Sequence, residues 1–195
     1  MKEEKARLRA EIKSRIAVLD EEYLRESDRG IRENVLNMPQ LETARTVFAY
    51  LSVERECDTR RIVDELLCNG RRVALPRSRK GGVMDFALYD GTLAEGMYGI
   101  PQPPDRAETA EPAEGDFMLV PALCCDKRGV RLGHGGGYYD RYLDRTRAAK
   151  AVICRERVMR HDIPVEPHDQ IMDMVISEDG VRRLGSDACR TLTES

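Results

Sequence analysis

No apolar run in this sequence approaches the roughly 18 residues that a bilayer-spanning helix needs. The first fifteen residues, Met1 to Arg15, are charged and lack the apolar stretch of a secretory signal, so a cytoplasmic protein is expected. Neither sign of charge is in excess: 32 basic residues against 35 acidic ones leave a net charge of −3. That balance lacks the strongly basic face of a nucleic-acid binder, and neither nucleic acid nor membrane is expected as a partner. A local basic pocket for an anionic ligand stays open. The six cysteines, Cys57, Cys68, Cys124, Cys125, Cys154 and Cys189, contain no C-x-x-C pair, and no histidine lies at zinc-finger spacing. Cys124, Cys125 and Cys154 sit in apolar runs, so buried free thiols are expected in place of disulfides or structural zinc. No internal repeat or low-complexity tract is visible.

What is present suits a folded α/β protein. The 195 residues are 41% hydrophobic and 34% charged, enough for a core and a well-solvated surface. Leu8, Ile12, Ile16 and Leu19 recur at helical spacing, and Asp20 can cap a second helix carrying Leu24, Ile31 and Val35, ended by Pro39. The period then changes. Thr46–Leu51 reads as a strand, Thr59–Cys68 as a helix stopped by Asn69-Gly70, and Arg72–Leu75 as a strand closed by Pro76. This strand–helix–strand order implies a parallel pair with a right-handed crossover. Val83–Tyr89 is a further strand and 96–115 a long surface loop. Phe117–Val120 is a fully buried strand. A helix is expected from Tyr138 to Arg147, with strands at Ala151–Cys154 and Met172–Ile176. The fold class is therefore α/β: a mostly parallel sheet with helices on both faces, in one domain over 1–195 whose segment 1–38 is a pair of N-terminal helices packed on it. A monomer is expected.

The most informative stretch is Asp126 to Arg141, DKRGVRLGHGGGYYDR, between the buried strand and a helix. Gly133, Gly135, Gly136 and Gly137 carry no Cβ, so backbone N–H groups can converge on an anion at the start of a helix. Arg131 can add a bidentate contact to phosphate. The loop is neither a Walker A loop nor G-x-G-x-x-G. A flexible turn explains the glycines equally well; Arg131, the paired Tyr138 and Tyr139, and Asp140 tilt the reading toward a ligand site.

Extended to PALCCDKRGVRLGHGGGYYDRYL, this stretch closely resembles the signature of the 5-formyltetrahydrofolate cyclo-ligases, also called methenyltetrahydrofolate synthetases. KARLR near the start, FAYLSVERECDT, VALPR, IPQPP and IPVEPHDQIMD follow in the family's order, so the resemblance covers nearly the whole chain. Cys125 stands where many members carry an aromatic residue, Cys154 in a run that often ends in Phe, and His134 at a position where members vary.

The resemblance implies an enzyme that uses ATP and magnesium to close a ring in a reduced folate: ATP phosphorylates the formyl oxygen of 5-formyltetrahydrofolate, N10 attacks the activated carbon, and phosphate leaves. It implies that Lys5 and Arg9, one helical turn apart, contact the ATP phosphates, as do Arg131 and the loop Gly133, His134, Gly135, Gly136, Gly137 with Tyr138 and Tyr139. Arg131 and Tyr139 are the residues expected to act in catalysis. Leu51, Glu56 and Tyr139 are expected at the folate, the carboxylate of Glu56 accepting paired N–H bonds from an aminopyrimidine-like edge. Asp140 and Asp169 are expected to hold the metal, whereas Asp173 is assigned to the start of the last strand. Without the family, a solvated helix face for Lys5 and Arg9, a loop Glu56 and a core Leu51 would be favoured. Arg77 is a weaker candidate for phosphate or the folate's glutamate tail, and His161 and His168 read as loop residues. The alternative is a catalytically silent, nucleotide- or RNA-associated paralogue with the same fold; a phosphosugar isomerase or acyl-CoA transferase would need a carboxylate base in its own loop signature, which is not found.

Overall fold

The computed structural model describes residues 1–53 and 55–184; Cys189 lies outside the described residues. Three helices come first: α1 (Lys2–Ala17), α2 (Glu21–Leu36) and the short α3 (Pro39–Thr43). Then follow β1 (Val47–Phe48), α4 (Thr59–Cys68), β2 (Val73–Ser78), β3 (Met84–Leu88), β4 (Thr109–Ala110) and β5 (Phe117–Val120). The chain closes with β6 (Cys124–Cys125), β7 (Arg131–Leu132), α5 (Tyr138–Leu143), β8 (Ala149–Ile153), β9 (Met174–Ser177) and β10 (Gly180–Arg183). Eight strands form one sheet in the order β10-β9-β8-β5-β1-β2-β3-β4, and β6 and β7 make a separate hairpin. The five central strands run parallel, with antiparallel strands at both edges. The α/β class expected from the sequence is the fold found.

The central strands are buried on both faces because each supplies apolar side chains alternately to two cores. Phe117 and Leu119 of β5 join Ile31 and Val35 of α2 and Ile62 and Leu66 of α4 on one face. Met118 and Val120 meet Leu8 and Ile12 of α1, Tyr142 and Leu143 of α5, and the β6–β7 hairpin on the other. The two N-terminal helices therefore separate, one to each side of the sheet. Asp20 caps α2 as expected, its side chain accepting from Tyr23 N at 2.7 Å. No helix among the described residues is long and apolar enough to cross a membrane. Cys57, Cys124, Cys125 and Cys154 are buried free thiols, while Cys68 is exposed, contrary to a uniform burial.

Several boundaries differ from expectation. Strand β1 shrinks to two paired residues within Thr46–Leu51, and the chain beyond it turns into the cleft described below. Pro76 does not close β2; the strand runs on to Ser78, paired with β3, because β1 pairs only as far as Ala74 and leaves Pro76 a single neighbour. Pro39 does not end α2, which stops at Leu36; it opens α3, where its missing N–H costs nothing. The helix expected to reach Arg147 ends at Leu143, as Arg145 N and Thr146 N bond back to Tyr142 O and Leu143 O and tighten the turn into β8. Asp173 immediately precedes β9, which is followed by an unforeseen last strand, β10. The segment 96–115 is not structureless: it contributes β4 and an Ala94–Gln102 bridge.

Arg77 holds that segment down. It is 2% exposed, and its guanidinium bonds Asp85 Oδ1 and Oδ2 at 2.9 and 3.1 Å, Thr109 Oγ1 at 2.9 Å and Ala107 O at 3.1 Å. With its donors occupied, Arg77 is a structural clamp in place of a phosphate or glutamate-tail contact. Replacing it by Met keeps the stem but orphans these acceptors, and urea denaturation should show a loss of about 3 kcal/mol. Protease sensitivity should rise within 96–115. Unchanged stability would show that the clamp is dispensable.

Candidate functional site

The carboxyl ends of β1, β2 and β5 open onto a cleft of about 400 Å³. Open α/β sheets place ligands at this end of their strands. One side is apolar, with Leu51, Leu75, Met84, Met97, Ile100 and Pro101 on it. The other carries Arg9, Glu56, Arg131, Asp140 and the loop 133–137. Such a split suits a ligand, or a pair of ligands, with a flat apolar part and an anionic part.

The β6–β7 hairpin delivers Arg131. Asp126, fully buried, accepts from Arg128 N at 2.9 Å and Val130 N at 3.1 Å, which fixes the turn. Arg131 then points under the glycine loop: a Cβ at Gly133 would lie 2.9 Å from Arg131 Nη1, so a larger residue there would displace the guanidinium. Gly137, at φ +66°, is the left-handed residue that starts α5. That helix is only six residues long, so its dipole is small, and the anion-binding character comes from side-chain cations and the loop backbone. Arg9 Nε donates to Gly133 O at 2.8 Å, and Arg141 Nη2 to Gly136 O at 3.1 Å.

Arg131 pairs with Asp140, and its guanidinium lies 5.9 Å from the centre of the Tyr139 ring. Burial presses the Arg131 pKa below its usual value, and the carboxylates of Asp140 and Asp169 act against that. Burial holds the Tyr139 hydroxyl far above its ordinary pKa, against the pull of Arg131, so it is a proton-bearing donor and not a base. Two buried polar atoms in this corner have no partner: Arg131 Nε and Tyr139 Oη. Unanswered donors in a cleft are what a bound ligand would satisfy.

Glu56 faces this corner. Its Oε2 accepts from Val53 N at 3.0 Å and its Oε1 lies 2.7 Å from His134 Nε2. The loop that carries Glu56 is held from beneath by Arg155, which is 3% exposed. Arg155 Nη1 donates to Arg55 O at 2.8 Å and Nη2 to Glu56 O at 3.2 Å. Its Nε reaches Ser27 Oγ at 2.9 Å, and Nη2 also reaches Asp28 on α2.

Lys5 and Asp169 do not line the cleft. Buried Lys5 spans from α1 to the 163–173 loop, with Nζ 2.5 Å from Asp169 Oδ2 and 2.9 Å from Glu166 Oε2. The hydrogen bond from Lys5 holds the Glu166 pKa below its usual value. Glu166, His168 and Asp169 bring ligand atoms within 4.8 Å of one another, so this corner has the donors for a cation; Asp140 is not part of that group. Asp173 is structural, accepting from Lys150 N at 2.7 Å.

The cleft thus gathers Arg9, Leu51, Glu56, Arg131, Tyr138, Tyr139, Asp140 and the whole loop 133–137, and leaves Lys5 and Asp169 to one side. Tyr50, Gln102 and Arg141 were missed. Tyr50 lies in the run read as a strand core, yet it lines the cleft, with burial first and the Glu56 carboxylate second holding its hydroxyl well above the usual pKa. Gln102 belongs to the IPQPP segment and braces β2 through Ser78 N at 3.0 Å. His168, read as a plain loop residue, stands in the Glu166–Asp169 group.

Comparison with known proteins adds independent findings. The profile described as the 5-formyltetrahydrofolate cyclo-ligase family matches residues 1–178. A 5-formyltetrahydrofolate cyclo-ligase of Mycolicibacterium smegmatis is 38% identical over 144 residues, 69% of this chain and 74% of that one. The mouse 5-formyltetrahydrofolate cyclo-ligase is 31% identical over 194 residues, 88% of this chain and 92% of its own. The solution structure of the Aquifex aeolicus 5,10-methenyltetrahydrofolate synthetase superposes with a TM-score of 0.81 at 28% identity, covering 92% of both chains.

The Arg155 clamp makes a prediction that needs no ligand. Arg155→Lys cannot serve four acceptors on separate segments with one ammonium, and urea denaturation should register a loss of about 2–3 kcal/mol. Amide exchange in 55–58 should quicken. Wild-type exchange there would mean that the Glu56 loop holds itself.

Proposed function

The chain belongs to the 5-formyltetrahydrofolate cyclo-ligase family, and we propose that its cleft binds the folate and ATP side by side, with magnesium at the phosphates. The enzyme cyclises 5-formyltetrahydrofolate to 5,10-methenyltetrahydrofolate, with ATP converted to ADP and phosphate. The observation that carries the site assignment is the pairing of an apolar slot ending in Glu56 with a cationic corner whose Arg131 Nε and Tyr139 Oη are unpartnered.

In this reading the folate ring lies along Leu51 and its N–H edge meets Glu56. The formyl oxygen is an amide oxygen and a poor leaving group. Transfer of the γ-phosphoryl group to it turns it into a phosphate ester, N10 attacks the carbon, the C–O bond breaks with phosphate as leaving group, and N10 loses its proton. The protein supplies position and charge. Arg131 Nε and the Tyr139 hydroxyl donate to oxygens that gain charge in that transfer. Arg9, the 133–137 backbone and Tyr138 hold the nucleotide.

The ion pairs give the metal reading its logic. Arg131–Asp140 and Lys5–Asp169 each join a cation suited to phosphate with a carboxylate suited to a hard divalent ion. Magnesium supplies charge compensation at the phosphates when bound. Nucleotide and metal arriving together answer both halves of each pair, whereas either alone leaves charges unmatched. Four buried thiols, with Cys124 pushed up to about 12 by burial, suit a reducing compartment, and we place the protein in the cytoplasm.

With ATP, magnesium and 5-formyltetrahydrofolate, methenyl product should accumulate, followed by absorbance; equal product without ATP, or none with any nucleotide, refutes the function. Asp140→Asn should cut turnover at least about 100-fold, roughly 2.7 kcal/mol, with partial recovery in excess magnesium. Asp169→Asn should weaken binding of the magnesium complex while tightening metal-free ATP, because Lys5 loses one of its two carboxylate partners and keeps only Glu166; isothermal titration in EDTA checks this. Normal magnesium dependence in both variants would remove the two carboxylates from the metal site.

A further inference from the structure

His134 stands in the glycine loop between Gly133 and Gly135 and is exposed, yet its Nε2 lies 2.7 Å from Glu56 Oε1 on the facing wall of the cleft. Glu56 Oε2 is meanwhile taken by Val53 N at 3.0 Å. The loop has other anchors, since the carbonyls of Gly133 and Gly136 accept from Arg9 and Arg141. The contact is therefore not what holds the loop in the fold. It does occupy a carboxylate oxygen that the proposed folate N–H edge requires, so imidazole and folate compete for one acceptor. The same imidazole belongs to the loop that the nucleotide must recruit.

We propose that His134 is a positioning residue that couples the two halves of the site. In the empty cleft it latches the glycine loop to Glu56; folate displaces it, and the loop so released closes on the nucleotide. The inference rests on the assignment of Glu56 to folate. One latch serves both ligands, so whichever binds first opens it and the second meets an open site, which is positive coupling.

The test is equilibrium titration of 5-formyltetrahydrofolate, without and with a non-hydrolysable ATP analogue and magnesium. In the wild type each ligand should tighten the other roughly fivefold. In His134→Ala, folate alone should bind about fivefold more tightly and the coupling should vanish, as expected for a two-state latch removed. His134→Gln keeps a donor for Glu56 and should restore part of the coupling. Thermal unfolding of each variant confirms that it is folded. Wild-type coupling in His134→Ala, or weaker folate binding by that variant alone, overturns the latch while leaving the function intact. A wild type that binds neither ligand overturns the functional reading itself.

Discussion

A buried cation is tolerated only when its charge and its N–H groups are answered, and among the described residues four lysines and arginines are buried: Lys5, Arg77, Arg131 and Arg155. Each ties segments that the strand ladder does not. Arg77 joins the 96–115 segment to β2 and β3, Arg155 joins α2 to the Glu56 loop, and Lys5 joins α1 to the 163–173 loop. All three meet carboxylates or carbonyls closely. Arg131 differs, since its Nε is without a partner while its Nη2 pairs with Asp140. Arg77 and Arg155 thus fix segments around the cleft, and chemistry is left to the one of the four cations with a nitrogen that has no partner.

That arrangement explains what was legible in the sequence. Buried strands such as Phe117–Val120 and the capped helices α2 and α4 were readable because local pattern and burial agree there. The prolines misled, because Pro76 breaks a strand only where a second neighbour needs its N–H, and Pro39 stands at the first position of a helix, where none is needed. The β9–β10 hairpin carried a readable signal, Asp179-Gly180, with Gly180 at φ +140°. Within the site, the glycine loop and Arg131 were visible as a run, whereas Arg9, Leu51 and Glu56 could be assigned only by family likeness, since a helix-face Arg, an apolar residue and a loop Glu look alike everywhere. Arg155 left no local signal, because its four partners come from two separate stretches of chain.

The cleft also separates two demands by direction. Its apolar wall is built from the strand ends and the 96–115 segment, so it is as rigid as the sheet and the Arg77 clamp. Its polar wall joins side chains of α1, β7 and α5 to the Glu56 loop and to the 133–137 loop, the last anchored by carbonyl contacts to Arg9 and Arg141. Shape recognition rests on the first and charge handling on the second.

Lys5 and its carboxylates have a temporal consequence. They lie 161 and 164 residues apart in sequence. Helix α1 therefore cannot complete its docking until the 163–173 loop has been made, and the core cluster that holds Leu8 and Ile12 also draws on strands from β1 to β9. At ordinary synthesis rates that interval is on the order of ten seconds. Until then the apolar stripe of α1 lacks the partners it has in the fold, and the charged residues around it favour a solvated helix.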